Sequence, residues 1–262
     1  MTARAEIAKL ARLLGDDPER FHYLLDVPEA DLRRLREQAT DVLFGANQAL
    51  FERIGAASKL VPAALTASIA QRSFGALLSA RVAGVLEPAR AVDLAGRLSV
   101  GFLADVAAEL DPRRVAGVLA VLPVARMLEV ARELVRRGDH ITMGRFVGQL
   151  PPPALRATVE TLAAEDLLRT AVYSEVADRF AELFAMVADD RLPEVARVVA
   201  TAPDDLAHDL LPLFARLDEP GLARVADAVA ALPVEQRARF AKHAAEAGVL
   251  GGLGPLSAAL SA

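Results

Sequence analysis

The 262-residue chain contains no cysteine, which removes disulfides, thiolate metal sites and cysteine nucleophiles from consideration. That absence fits a reducing compartment. Tryptophan is also missing, and aromatics make up only 5% of a chain that is 53% hydrophobic. The core must therefore be built from Ala, Leu and Val, and the first two are strong helix formers. Asn47 is the one asparagine, and Lys9, Lys59 and Lys242 are the only lysines among 30 basic residues. Such a bias towards Arg and Ala is what a GC-rich bacterial genome encodes. A basic excess is lacking too. The net charge of −5 argues against a nucleic-acid partner, which needs a basic footprint. No apolar run is long enough to predict a transmembrane helix. The start, MTARAEIAKLARLLGDDPER, is charged throughout and has no signal-peptide core. The expectation is a cytoplasmic protein.

Catalytic signatures are absent as well. There is no G-x-S-x-G, Walker loop, dinucleotide fingerprint or H-E-x-x-H. No cofactor is expected.

What the chain does have is helix punctuation. Ala3–Leu14 places Ile7, Leu10, Ala11 and Leu14 on one face. Asp17 caps a helix opening at Pro18, and a long helix is predicted from Glu29 to near Gly55. Pro62 opens the next helix and Ser73 the one after. From there prolines recur at Pro88, Pro112, Pro151 to Pro153, Pro203 and Pro220, each suited to a helix start, where its missing N–H costs nothing. No stretch alternates like a strand.

One phrase occurs twice. Nine positions between 114 and 138 are identical to the residue 110 further on, including Leu122-Pro123-Val124 against Leu232-Pro233-Val234 and Gly138 against Gly248. Paired helices that cannot bury both faces must stack on neighbours, which predicts an all-α superhelix or α-solenoid. The expected organisation is an N-terminal helical segment over 1–85, a helical-repeat superhelix over 86–250 packed on it, and a flexible tail over 251–262.

The pattern Leu110-Asp111-Pro112-x-x-x-Ala116-x-x-Leu119-x-x-Leu122-Pro123 resembles the helical repeat in the cytosolic N-terminal domain of MgtE-type magnesium transporters. The flagellar switch protein FliG is similar in the same way. The resemblance covers about residues 86–250 and implies a right-handed superhelix of short helices. It does not imply transport, and no position of the motif is specific to metal.

Three places stand out as candidate sites. Residues 53–86 hold no acid across 34 positions, only Arg53, Lys59, Arg72 and Arg81 among apolar and small residues. They read either as an apolar surface for peripheral membrane or anionic-lipid contact, or as a buried helix pair whose bases reach outward. Arg81 interrupts the run Leu77–Leu86 and needs a partner if buried. Asp105 and Glu109 share a helix face and are weak magnesium candidates. The polar turn with Arg136, Asp139, His140, Thr142 and Arg145 is the third place, a departure from the repeated phrase that suggests ligand or partner binding. Asp139 or Thr142 also suits a helix cap. His22 and Asp26 sit four apart without a nucleophile, and His208 and His243 stand alone.

The leading reading is a non-catalytic interaction or regulatory module holding a protein partner. The alternative is a carrier or sensor for an apolar small molecule such as a lipid or isoprenoid, in a cavity left by the small-residue helices of 56–86. An all-α enzyme using His and carboxylate chemistry comes third.

Overall fold

Proline and left-handed glycine set where the helices begin and end. In the computed structural model, which describes residues 2–261, every regular element among those residues is helical. The first five α-helices are α1 (Ala3–Leu14), α2 (Glu29–Gly45), α3 (Gln48–Ser58), α4 (Ala63–Ile69) and α5 (Gly75–Ala83). Then come α6 (Pro88–Ala95), α7 (Val100–Glu109), α8 (Ala116–Leu119), α9 (Val124–Arg136), α10 (His140–Phe146), α11 (Pro152–Thr161) and α12 (Ala164–Val172). The last six are α13 (Phe180–Phe184), α14 (Leu192–Thr201), α15 (Asp204–Phe214), α16 (Glu219–Ala230), α17 (Val234–Glu246) and α18 (Pro255–Ser261).

Pro88, Pro152 and Pro220 occupy first-turn positions, while Pro62, Pro123, Pro203 and Pro233 are themselves N-caps. Pro112 and Pro18 open 3₁₀ turns instead. The two segments that match in sequence share their backbone geometry. Helices α9 and α17 are both 13 residues long, and Gly138 and Gly248 follow them at φ +70° and +67°. Glycine is the residue that adopts this left-handed cap without strain.

Three expectations differ from what is observed. The long helix from Glu29 is broken into α2 and α3 at Asn47, whose backbone (φ −130°, ψ 20°) is not helical. Asparagine two residues after Gly45 has little helix propensity to resist that break. The helix expected to open at Ser73 is instead a continuation of α4 through a π turn, Ala70–Phe74, and α5 begins at Gly75 with φ +73°. The segment expected as a flexible tail packs on the body: Leu253 and Leu256 are fully buried, and α18 lies against α16.

From α3 onward most helices pack on the helix two further along, as in α5 on α7, α7 on α9, α10 on α12, α12 on α14 and α14 on α16. Arginines fasten these layers. Arg90 Nη2 donates to the carbonyls of Ser58 (2.6 Å) and Val61 (2.8 Å), at the end of α3. Arg126 does the same at Ala95 and Leu98 beyond α6, and Arg191 at Val159 and Leu162 at the end of α11. Arg145 reaches Ala108 and Leu110 after α7 (3.2 and 2.6 Å), and Arg239 reaches Ala202 after α14. Helix C-termini carry unsatisfied carbonyls and negative dipole ends; Arg145 and Arg191 span two of them as a guanidinium fork, where a lysine offers a single point, while Arg90 and Arg126 reach both from Nη2.

The N-terminal helix α1 is tied across the body by charge. Glu6 and Lys9, both fully buried, bond at 2.9 Å; Arg36 Nε donates to Glu6 at 3.0 Å, and its Nη2 lies 2.8 Å from Glu175. Burial alone would raise the Glu6 pKa, but Lys9 and Arg36 outweigh it and hold the carboxyl below its usual range. Close approach also matters where α10 crosses the end of α12. A Cβ on Gly144 would lie 2.5 Å from the Tyr173 backbone carbon.

The core is uneven. Among the described residues one cluster of 30 buried side chains runs from Val159 to Leu256 with Ala5 added, and its centre is Phe180, Phe184 and Phe214 with ring centroids about 6.0 Å apart. Among the described residues, those from Ala80 to Leu162 form three smaller separate clusters, of four, four and three buried residues.

Candidate functional site: an apolar cavity

Between those small clusters and the near end of the large one lies a cavity of about 310 Å³. Every helix from α3 to α14 contributes to its wall, from Ile54 to Val195. Among the described residues no Asp, Glu, Lys, Arg or His lines it. The cause lies in composition. Ala67, Ala70, Ala83, Ala95, Ala107 and Ala131 occupy wall positions where larger side chains would meet across the middle. Of the chain's few aromatics, Phe74, Phe146, Phe180 and Phe184 are on this wall.

The polar atoms on the wall are hydroxyls, and most are spent on the backbone. Ser58 donates to the Gly55 carbonyl (2.7 Å), Thr66 to the Pro62 carbonyl (3.2 Å) and Thr158 to the Ala154 carbonyl (2.8 Å). Ser174 accepts from the Val176 N–H, and Thr170 faces the Met143 sulfur. Ser79 on α5 is the exception: its Oγ is buried without a hydrogen-bond partner among the described residues. A buried hydroxyl left unpaired costs free energy, and on this wall it offers one uncharged hydrogen-bonding point.

Phe74 links the cavity to the outside. It is on the wall and also 43% exposed, at the junction of the π turn and Gly75.

The residues singled out from the sequence lie elsewhere. None of Lys59, Arg81, Arg136, Asp139, His140, Thr142 and Arg145 lines the cavity. Lys59 is an exposed partner of Glu87 at 2.7 Å, and Arg81 sits over the Phe44 ring at 5.5 Å, a cation–π contact shared with Arg114 at 3.8 Å. Arg136 pairs with Glu133 at 2.7 Å; hydrogen bonds from Arg136 and Arg137 hold the Glu133 carboxyl down to about 2.

The polar turn is a clasp. Asp139 caps α10, accepting from the Thr142 N–H (3.1 Å) and hydroxyl (2.8 Å), and it receives both ends of the Arg12 guanidinium from α1 at 2.5 and 2.6 Å. Burial pushes the Asp139 carboxyl upward, but Arg12 and Thr142 together bring it below its usual range. His140 Nε2 lies 2.9 Å from Asp166, joining α10 to α12. Arg145 is the largely buried cap of α7 already described, and burial lowers its pKa.

Asp105 is exposed and bonds Arg137 at 2.6 Å rather than acting with Glu109. Among the described residues no three His, Cys, Asp or Glu side chains converge as a metal site would need. His22 and Asp26 are exposed on and beside the first 3₁₀ turn. His243, which stands alone in sequence, is buried with Nε2 3.2 Å from Asp204, a partner 39 residues away. None of the described helices is long and apolar enough to cross a membrane.

The sequence signal that pointed at the cavity was the small-residue stretch before residue 87, which supplies Ser58, Thr66, Ala67, Ala70, Phe74, Ser79 and Ala83 to the wall. No family model, no curated protein and no solved structure matches this chain.

Proposed function

We propose that this protein is a carrier or sensor for an elongated, uncharged apolar molecule, of the isoprenoid or neutral-lipid class, held between α3 and α14. The single observation that supports the reading is a 310 Å³ cavity whose wall carries no ionisable side chain. That volume lies at the lower end of small-molecule sites, which run to about 300–1,000 Å³. Each buried methylene contributes about 0.8 kcal/mol, so a chain of roughly ten gives about 8 kcal/mol before the cost of immobilisation. A carboxylate or phosphate placed in this interior would meet no cation, so a charged head group belongs outside it. Ser79 suits a hydroxyl, carbonyl or ester oxygen on an otherwise apolar ligand.

In this reading the protein is cytoplasmic and non-catalytic, and its stacked helix pairs wind as a right-handed superhelix around the ligand, as the resemblance to MgtE-type N-terminal domains implies. It displaces the partner-binding module as the leading interpretation, because the turn that suggested a partner site spends its polar groups on α1, α7 and α12.

Solvent extraction of the folded protein followed by mass spectrometry tests it, together with titration by the uncharged fluorophore N-phenyl-1-naphthylamine. A co-purifying apolar molecule, or saturable fluorophore binding abolished by Ala107→Phe, is expected. A clean extract together with non-saturable fluorescence overturns the proposal.

A further inference from the structure

We infer that the outer face of α4, the π turn and α5 docks on an anionic lipid bilayer, and that the apolar ligand passes between bilayer and cavity beside Phe74. The second clause rests on the proposed function; the first does not.

Large apolar side chains are exposed together here. Leu65 and Leu77 are each 53% exposed, and Ile69 and Phe74 are exposed as well. Leu65 and Ile69 are four apart on α4 and share a face. Helix α4 turns its buried Ala67 inward and packs on α6, and α5 packs on α7, so both helices already use their inner sides. Leu60, in the preceding turn, is 89% exposed. Five exposed large apolar side chains between positions 60 and 77 mark an interaction site rather than ordinary solvent exposure.

Charge selects the bilayer as the occupant. The chain has a net charge of −5, yet residues 53–86 contain four bases and no acid. Lys59 is neutralised by Glu87 and Arg81 is turned onto Phe44. Arg53 and Arg72 are exposed and make no ion pair among the described residues. Apolar side chains around the unpaired guanidinium group of Arg72 in the π turn, in a stretch without a carboxylate, match the interface of an anionic leaflet. The π turn adds the second argument. It lies in the middle of this face and carries Phe74, which is both exposed and on the cavity wall. An apolar molecule leaving a bilayer at this point need not cross water.

Flotation of the full chain with vesicles tests the docking. Recovery with phosphatidylcholine mixed with phosphatidylglycerol is expected to exceed recovery with phosphatidylcholine alone and to fall at high salt. Arg72→Ala should lower the partition about fivefold, the effect of one basic residue near an anionic surface. Phe74→Ser should lower it further, with circular dichroism confirming the fold, while Arg197→Ala on α14 should leave it unchanged. Absence of flotation with the mixed vesicles, or equal partition of wild type, Arg72→Ala and Phe74→Ser, overturns the inference. So does a solution dimer that Leu77→Asp dissociates, since a second copy would then own the face. Fluorophore binding without flotation would remove the docking and leave the cavity reading intact; flotation without fluorophore binding would do the reverse.

Discussion

The two halves of this molecule bury similar residues by different means. From α14 to α18 the helices meet through one continuous core, with Phe214, Leu210, Leu211 and Phe240 fully buried. From α3 to α12 helices of similar length and composition meet around a hollow, and only small clusters such as Ala80, Phe102 and Val106 close between neighbours. Helix stacking therefore does not by itself decide whether a core is solid. The difference lies in whether the centre is closed: Phe214 closes on the Phe180 and Phe184 rings in one half, while the Leu, Val and Ala side chains of the other stop short of one another.

Substitution tests that contrast most sharply at its centre. Phe214→Ala should cost about 3–5 kcal/mol, because it opens a void among rings that touch Phe180 and Phe184. Leu103→Ala, on the wall, should cost distinctly less, about 1–2 kcal/mol, since part of that side chain already faces open space. Urea titration of both variants checks the pair, and equal losses would mean that the hollow half is packed after all.

The clasp between the halves comes next in size. Helix α1 contributes Ala5 to the solid core and Arg12 to the Asp139 turn of the hollow half. Asp139→Ala removes a helix cap and leaves Arg12 unpaired, so a loss of about 2–3 kcal/mol is expected, with a double-mutant cycle against Arg12→Ala showing strong coupling. The acid response has a defined sign. Asp139 and Glu6 titrate below their ordinary values of 3.8 and 4.5 in the folded state. Their stabilisation is thus complete above those values and is lost as pH falls below them. Asp139→Asn should flatten the stability profile in that acidic window and leave its slope near neutrality unchanged.

Adding atoms should separate the halves in the opposite direction. Ala207→Leu enlarges a fully buried site in the solid half and should cost about 1–3 kcal/mol. Ala131→Leu points extra methyls into the cavity and should be neutral or stabilising by about 0.5–1 kcal/mol while weakening fluorophore binding. A small effect is expected at a fastening point. Arg191→Lys keeps the charge but loses the fork whose Nη1 and Nη2 span Val159 and Leu162, for about 0.5 kcal/mol by thermal or urea unfolding.

Local chemistry was legible in the sequence. Prolines announced helix starts because they constrain their own backbone, and Asp139 was readable as a cap because its partner, Thr142, lies three residues away. The rest depends on neighbours distant along the chain. Arg126 finds its carbonyls 28 and 31 residues back, and His243 finds Asp204 at 39, separations that no periodicity encodes. The polar turn drew notice because it departs from its counterpart, but the departure serves the incoming α1. The cavity was foreseeable in kind from alanine-rich, aromatic-poor helices. Its extent was not, because volume depends on how far apart backbones are held.

The arginine forks have a consequence for how such a protein changes over time. Each fork fixes a helix against the end of an earlier one, so the width of the interior is gauged one junction at a time. Its length depends on how many junctions follow one another. Duplicating a fork-bearing helix pair would lengthen the interior without widening it, while keeping every existing junction.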